Sequence, residues 1–301
     1  MMSEFKKGVI FALLAYLCWG LFPLFWKQLT HVPSMEILAA RVIWAFVFTW
    51  LYLVVRKQSK PLWQDVKQLW QQKTAFWQLG IASFVISLNW FTYIWAVNHN
   101  HIVQTSLGYY INPILSILFG VIFFKERLTS AQKLATVIAI SAVLLLAIYY
   151  GELPWIALIL AFSFATYGVL KKKIRLDATR GLVIETFFVL PIALSYYIYL
   201  FVQGDAVFLH SDVKTSLLLM LGGILTAIPL ILFAMGAQRA PLYVVGFIQY
   251  LSPTITLMLG VLIYQEPFSK IQFIAFGLVW LAIVIFLISM YRQFTRKKLM
   301  M

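Results

Sequence analysis

Apolar residues run along this chain in long blocks, and polar residues gather in the short stretches between them. The blocks fall at about 8–28, 36–55, 74–97, 102–124 and 131–150, and again at about 154–171, 180–202, 215–237, 241–264 and 270–291. Each is close to the ~20 residues an α-helix needs to cross a ~30 Å hydrocarbon core. The pattern therefore predicts an all-α membrane protein of ten transmembrane helices. The sixth block is the weakest, because Lys171, Lys172 and Lys173 cut it short. Lys6 and Lys7 before the first block imitate a signal peptide. That block is too long for an h-region and lacks a small-x-small cleavage site, so it is read as a retained first span. Joints between blocks are short, which makes neighbouring helices antiparallel.

Composition supports this pattern. The 301 residues are 62% hydrophobic and only 11% charged, against about 25% charged in a soluble domain. Too few charges remain to coat a soluble particle, which excludes a disordered chain and a soluble enzyme with an ordinary surface. A single cysteine, Cys18, excludes an internal disulfide and a cysteine-based metal cluster.

The net charge of +14 taken alone suggests a nucleic-acid or acidic-lipid binder. Its distribution gives a different reading. With the N-terminus inside, the inner connections hold 20 of the 24 Lys and Arg; Lys27, Arg41, Lys214 and Lys270 remain for the outer half. That asymmetry follows the positive-inside rule. It predicts a multi-pass protein of the cytoplasmic membrane with both termini cytoplasmic and no nucleic-acid partner.

The chain also repeats itself. Gly108 to Pro113 and Gly246 to Pro253 bring Pro113 and Pro253 into register at an offset of 140. At that offset Gly120-Val121 falls on Gly260-Val261, Glu126 on Glu266 and Gln132 on Gln272. Looser matches join Ala15-Tyr16 to Ala161-Phe162, Lys27 to Lys173 and Glu36 to Glu185. The expected organisation is two five-helix halves, 1–150 and 151–301. An odd number of spans per half forces opposite orientations, and inverted repeats are characteristic of alternating-access carriers.

Several pieces together resemble the RarD family of EamA-type permeases, in the drug/metabolite transporter superfamily. They are Trp19-Gly20 with Pro23 and Lys27, Glu36 with Arg41, Asn89-Trp90, Trp95 to Asn98, Gly108-Tyr109 with Asn112-Pro113, and Ala161 to Phe164. Lys172-Lys173, Glu185-Thr186, Thr226 with Pro229, and Gln249-Tyr250 with Pro253-Thr254 complete the set. The resemblance covers nearly the whole chain. It implies two inverted EamA repeats around a central cavity, and export or exchange of small metabolites or drugs.

Pro113 and Pro253 lie about eleven and twelve residues into their spans, near mid-membrane at ~1.5 Å per residue. Each frees the carbonyl four residues back, on Tyr109 and Gln249. Lipid cannot satisfy a carbonyl, so these are expected to face protein, ligand or water. Tyr110, Asn112, Tyr250 and Ser252 add polar groups at that depth, making this pair of kinks the expected substrate site. Trp19, Asn89, Trp90, Tyr93 and Thr226 are expected around the same cavity, although each taken singly is more readily packing or interfacial belt. Arg41 and Glu185 are charges within spans, costing ~2.5–3.5 kcal/mol each at the centre. They sit near opposite faces, some 18 Å apart in depth at ~1.5 Å per residue, so a direct pair is not expected. Two clusters are expected instead, Lys27, Glu36 and Arg41 outside and Lys172, Lys173 and Glu185 inside, tying helices near opposite gates. Snorkelling to headgroups is the alternative.

His99 and His101 have a metal half-site spacing but no neighbouring carboxylate or cysteine, so no metal is expected. A phosphate-binding G-x-x-x-x-G-K-[ST] loop is absent from the sequence, so no ATP and no cofactor are expected. An intramembrane enzyme would need a catalytic set, and neither H-E-x-x-H nor G-x-S-x-G occurs. A scaffold or receptor would usually carry a soluble domain, and the longest inner loop, about 56–73, is short and basic. A secondary transporter of small molecules is the expected function, with the substrate, coupling and oligomeric state (monomer or homodimer) left open.

Overall fold

The computed structural model describes residues 3–98, 102–151, 155–174, 176–265 and 269–299. His99 and His101 lie outside these residues. The helices are α1 (Glu4–Trp26, prolonged by a 3-10 turn, Lys27–Leu29), α2 (Ser34–Val55), α3 (Ser59–Gln71), α4 (Lys73–Asn98), α5 (Ile102–Phe124) and α6 (Ser130–Tyr150). They continue with α7 (Trp155–Lys173), α8 (Ala178–Gln203), α9 (Val213–Arg239), α10 (Leu242–Gln249), α11 (Leu251–Met258) and α12 (Lys270–Leu299). A π-helical turn, Leu259–Ile263, follows α11. Among the described residues there is no strand, and ten stretches are long and apolar enough to cross a membrane. The most apolar window of each span is only 28–56% buried inside the protein. Large side chains such as Ile148, Val202 and Leu262 stand 69–78% exposed. In water such a surface would aggregate; in a bilayer it is the lipid-facing girdle.

The helices pack across the chain's midpoint. α1 lies against α9, α2 against α8 and α9, α4 against α7 and α8, α5 against α7 and α10, α6 against α12, and α11 against α1. Every one of these pairs joins the first five spans to the second five. Exchanging α1 with α7, α2 with α8, α4 with α9, α5 with α10–α11 and α6 with α12 returns the same set of pairs. Lipid gives no hydrophobic drive to these contacts, so close backbone approach must supply the attraction. Small residues permit it. Gly8, Ala12 and Gly236 bring α1 onto α9, and a Cβ on Gly223 would fall on the Trp44–Ala45 backbone of α2.

The Gln132/Gln272 repeat has a structural reason. Thr129 and Gln132 form a reciprocal capping box at the start of α6. Ser269 and Gln272 make the same two bonds at the start of α12. Each box satisfies two orphan N–H groups where a span begins. Lys125 and Gln265, also at that offset, both take left-handed backbone, with φ of 54° and 53°.

Two sequence expectations are corrected here. The stretch 59–71 is a helix, not a loop: α3 turns Leu62, Val66 and Leu69 toward Phe76 and Ile174. Its Trp63 and Trp70 remain exposed, as befits tryptophan at a membrane interface. Its periodic apolar positions are too sparse to register as a spanning block. The ninth span, expected as one kinked helix matching the fourth, breaks at Tyr250 into α10 and α11, whereas α5 runs through Pro113 unbroken. Gly246 explains the asymmetry in part. Its bare backbone lies so close to α5 that a Cβ would stand 2.9 Å from the Pro113 carbonyl oxygen. The chain then turns, and the Tyr250 ring is fully buried.

Candidate functional site

The polar ends of the spans gather on two faces. On the first, the Arg239 Nε lies 3.1 Å from Glu4 and the Arg180 Nε 2.5 Å from Asp65. On the second, His31 hydrogen-bonds Thr215 at 3.0 Å, and Glu36 accepts from the backbone N–H groups of Val207 and Phe208. Ten spans with both chain ends on one side require this sorting.

Glu126 closes the first face. Its carboxylate accepts from the N–H groups of Leu242 and Tyr243 at 2.8 and 2.9 Å, capping α10 where the helix dipole favours a negative charge. Gly120 leaves the room that this carboxylate occupies. Lys172 lies 3.4 Å from Glu126 and donates to the Ala240 carbonyl at 2.6 Å. One latch therefore joins the α5–α6 loop, the end of α7 and the α9–α10 turn. It forms one wall of a cleft of about 450 Å³ with Arg127, Gln238, Arg239 and Tyr243.

The expected inner cluster is corrected. Glu185 is not paired with Lys172 or Lys173 but with Lys171, at 2.5 Å, both side chains at most 3% exposed. The Tyr167 hydroxyl donates to the second Glu185 oxygen at 3.1 Å. Lys173 is exposed, with its ammonium 5.3 Å from the Phe123 ring. Helix phase decides the partner: successive residues of α7 are turned by ~100°, and Lys171 is the one that faces α8. Above this pair a void of about 10 Å³ lies between Ser83, Ser87, Trp90, Glu185 and Thr186, room for about one water molecule.

The expected outer cluster is dispersed as well. Glu36 and Arg41 are five residues apart on α2 and so point ~140° from each other. Lys27 stands over the Tyr264 ring at 3.1 Å. Arg41, 8% exposed, donates from Nε to the Thr226 hydroxyl oxygen at 3.0 Å. Thr226 in turn donates to the Gly222 carbonyl at 2.7 Å, which leaves its oxygen oriented as an acceptor. The guanidinium carbon lies 4.8 Å from the ring centroids of both Trp26 and Trp90. Tyr93 and Tyr109, whose rings are 5.9 Å apart, interact electrostatically with the same guanidinium. Sequence reasoning missed Trp26; its place four residues, about one turn, after Phe22 on α1 was the available signal.

The proline segments meet directly. Tyr110 and Asn112 are each 4% exposed and Tyr250 is fully buried. The Tyr250 hydroxyl donates to the Tyr110 carbonyl at 3.4 Å, and Ser116 donates to Gln249 at 3.2 Å. The Asn112 Oδ1 is buried without a hydrogen-bond partner. Pro113 and Pro253 thus mark a packed seam between α5 and α10–α11, with Ser252 half-buried beside it. Asn89 bonds the Leu160 carbonyl and Ser163, tying α4 to α7. Trp19 packs on Tyr16, Phe164 and Phe233 at 5.2–5.8 Å. Of the expected lining residues, Trp90, Tyr93, Tyr109 and Thr226 come together around Arg41; the seam residues and Trp19 form separate groups.

Ten apolar spans paired symmetrically across the chain's midpoint define a polytopic membrane protein. The sequence matches the EamA-like transporter family twice, over residues 6–148 and 154–288. It is 46% identical over 288 residues to the uncharacterized transporter YojE of Bacillus subtilis, covering 95% of each chain. It is 40% identical over 295 residues to protein RarD of Escherichia coli, covering 97% of each. A chain of known crystal structure shares the fold at a TM-score of 0.72 and 18% identity, over 94% of this chain and 98% of that one. The chain belongs to the EamA-like transporter family, as a RarD-type permease.

Proposed function

We propose that the protein is a secondary transporter, an exporter or exchanger that moves small metabolites or drug-like molecules across the cytoplasmic membrane by alternating access. Residues 1–150 and 151–301 act as two inverted halves, with both termini cytoplasmic, so the Glu126–Lys172 latch is the cytoplasmic gate. The observation that carries this reading is the interchange symmetry of the helix pairs. When all the principal contacts join one half to the other, rocking one half opens one face as it closes the opposite one. The relatives' names as transporters support a carrier over an enzyme. Its partners are the small-molecule cargo and the lipid bilayer, with no role for ATP or nucleic acid.

Reconstitution into liposomes with a panel of amino acids, purines and drugs tests this reading. Saturable flux of at least one member is expected, lowered by Asn112→Ala or Gln249→Ala at the seam. Normal transport by both variants would remove the seam from the cargo path.

A further inference from the structure

Five cations among the described residues have a carboxylate partner. Lys171 pairs with Glu185, Lys172 with Glu126, Arg180 with Asp65, and Lys7 and Arg239 both with Glu4, at 2.5–3.4 Å. Arg41 is more than nine-tenths buried and has no carboxylate within ion-pair distance among the described residues. Glu36, one and a half turns away on the same helix, does not neutralise it. Both Glu36 oxygens are engaged by the Val207 and Phe208 N–H groups.

A guanidinium has five N–H donors in a fixed plane. One of them, on Nε, is taken by Thr226. The two indoles of Trp26 and Trp90 engage the guanidinium at equal distance, and Thr226 fixes its Nε edge. The four donors on Nη1 and Nη2 have no acceptor among the described residues. Removing a cation from water costs several kcal/mol, roughly, unless an anion and hydrogen bonds compensate. A sequence that only needed a tight outer bundle would place an apolar residue here.

We propose that Arg41 is the cargo's anchor: its free Nη edge takes a carboxylate of the transported molecule in a two-pronged bond. The cargo is then a small organic carboxylate with an apolar or aromatic body lying among Trp90, Tyr93 and Tyr109. One carboxylate matches one guanidinium in charge and in fork geometry. A phosphate dianion would call for a second cation. This inference rests on the carrier reading above and narrows its cargo.

The test is a matched pair of probes, phenylacetate and phenylacetamide, titrated calorimetrically into detergent-purified protein. Phenylacetate is expected to bind at least ~10-fold tighter, the scale of one charge-assisted contact at ~1.4 kcal/mol per decade. Arg41→Met is expected to erase the preference, and Arg41→Lys to keep part of it, since lysine supplies charge without the fork. Thr226→Val, which loosens the guanidinium, is expected to weaken phenylacetate binding while leaving phenylacetamide unchanged. Equal binding of the two probes, no binding of phenylacetate, a preference that survives Arg41→Met, or tighter binding of benzyl phosphate would each overturn the proposal. Flux separates it from the carrier reading. Transport that ignores both the carboxylate and Arg41 keeps the carrier and removes the anchor. Arg41-dependent carboxylate binding without any flux keeps the anchor and removes the carrier.

Discussion

At the scale of single residues, the buried charges fall into two kinds. Lys171 and Glu185, each at most 3% exposed, compensate each other. Glu185→Gln leaves the Lys171 ammonium buried beside a neutral amide, and loss of one partner of a buried pair costs about 3–5 kcal/mol. A marked drop in thermal midpoint in detergent is expected for that variant. The double replacement Lys171→Met/Glu185→Gln is expected to recover much of the loss; a double variant no better than the single one would contradict a compensating pair. The sequence marks Glu36, Arg41 and Glu185 as unusual because charge is rare inside apolar blocks. Their partners were not legible, because partner choice depends on helix phase and on which neighbour each helix meets. Lys171 heads a basic triplet that reads only as the end of a span, and the Glu36 partners are backbone groups of a distant loop, which no side-chain pattern announces.

At the scale of elements, the spanning helices were legible because ~20 apolar residues in a row have few alternatives. The repeated glutamines were legible as a repeat but not as capping boxes, whose role shows only when the helix start is seen. α3 escaped because its apolar signal is periodic rather than continuous, with Leu62, Val66 and Leu69 at helical spacing in an otherwise polar stretch. The break at Tyr250 escaped because proline alone does not distinguish a kink from an interruption; the close crossing at Gly246 contributes to the difference. Close crossings also locate the vulnerable helix contacts. Gly223→Ala places a methyl group on the backbone of α2 at Trp44 and Ala45. Overpacking of this kind costs roughly 1–3 kcal/mol. The shift of α2 against α9 is also expected to disturb the Arg41–Thr226 bond, which spans the same two helices. Thermal unfolding of Gly223→Ala in detergent reads this directly, and an unchanged midpoint would show that α2 and α9 separate freely.

At the scale of the whole molecule, the low charge content and its uneven placement acquire a single explanation. Lys and Arg gather at one set of span ends, and the structure brings those ends together through Glu4–Arg239, Asp65–Arg180 and Glu126–Lys172. If that face is cytoplasmic, a cysteine at Lys60 in α3 is shielded in intact cells. A cysteine at His210, in the α8–α9 connection, is open to a membrane-impermeant maleimide. In a Cys18→Ser background, labelling at 210 before lysis and at 60 only after lysis is expected; the reverse order would invert the topology. Transport itself has the most direct measurement. In liposomes holding the purified protein and no ATP, uptake of labelled small molecules from the panel is followed against empty liposomes. Saturable uptake of at least one compound is expected, accelerated when the same compound is loaded on the far side. Uptake no faster than in empty liposomes for the whole panel would contradict it.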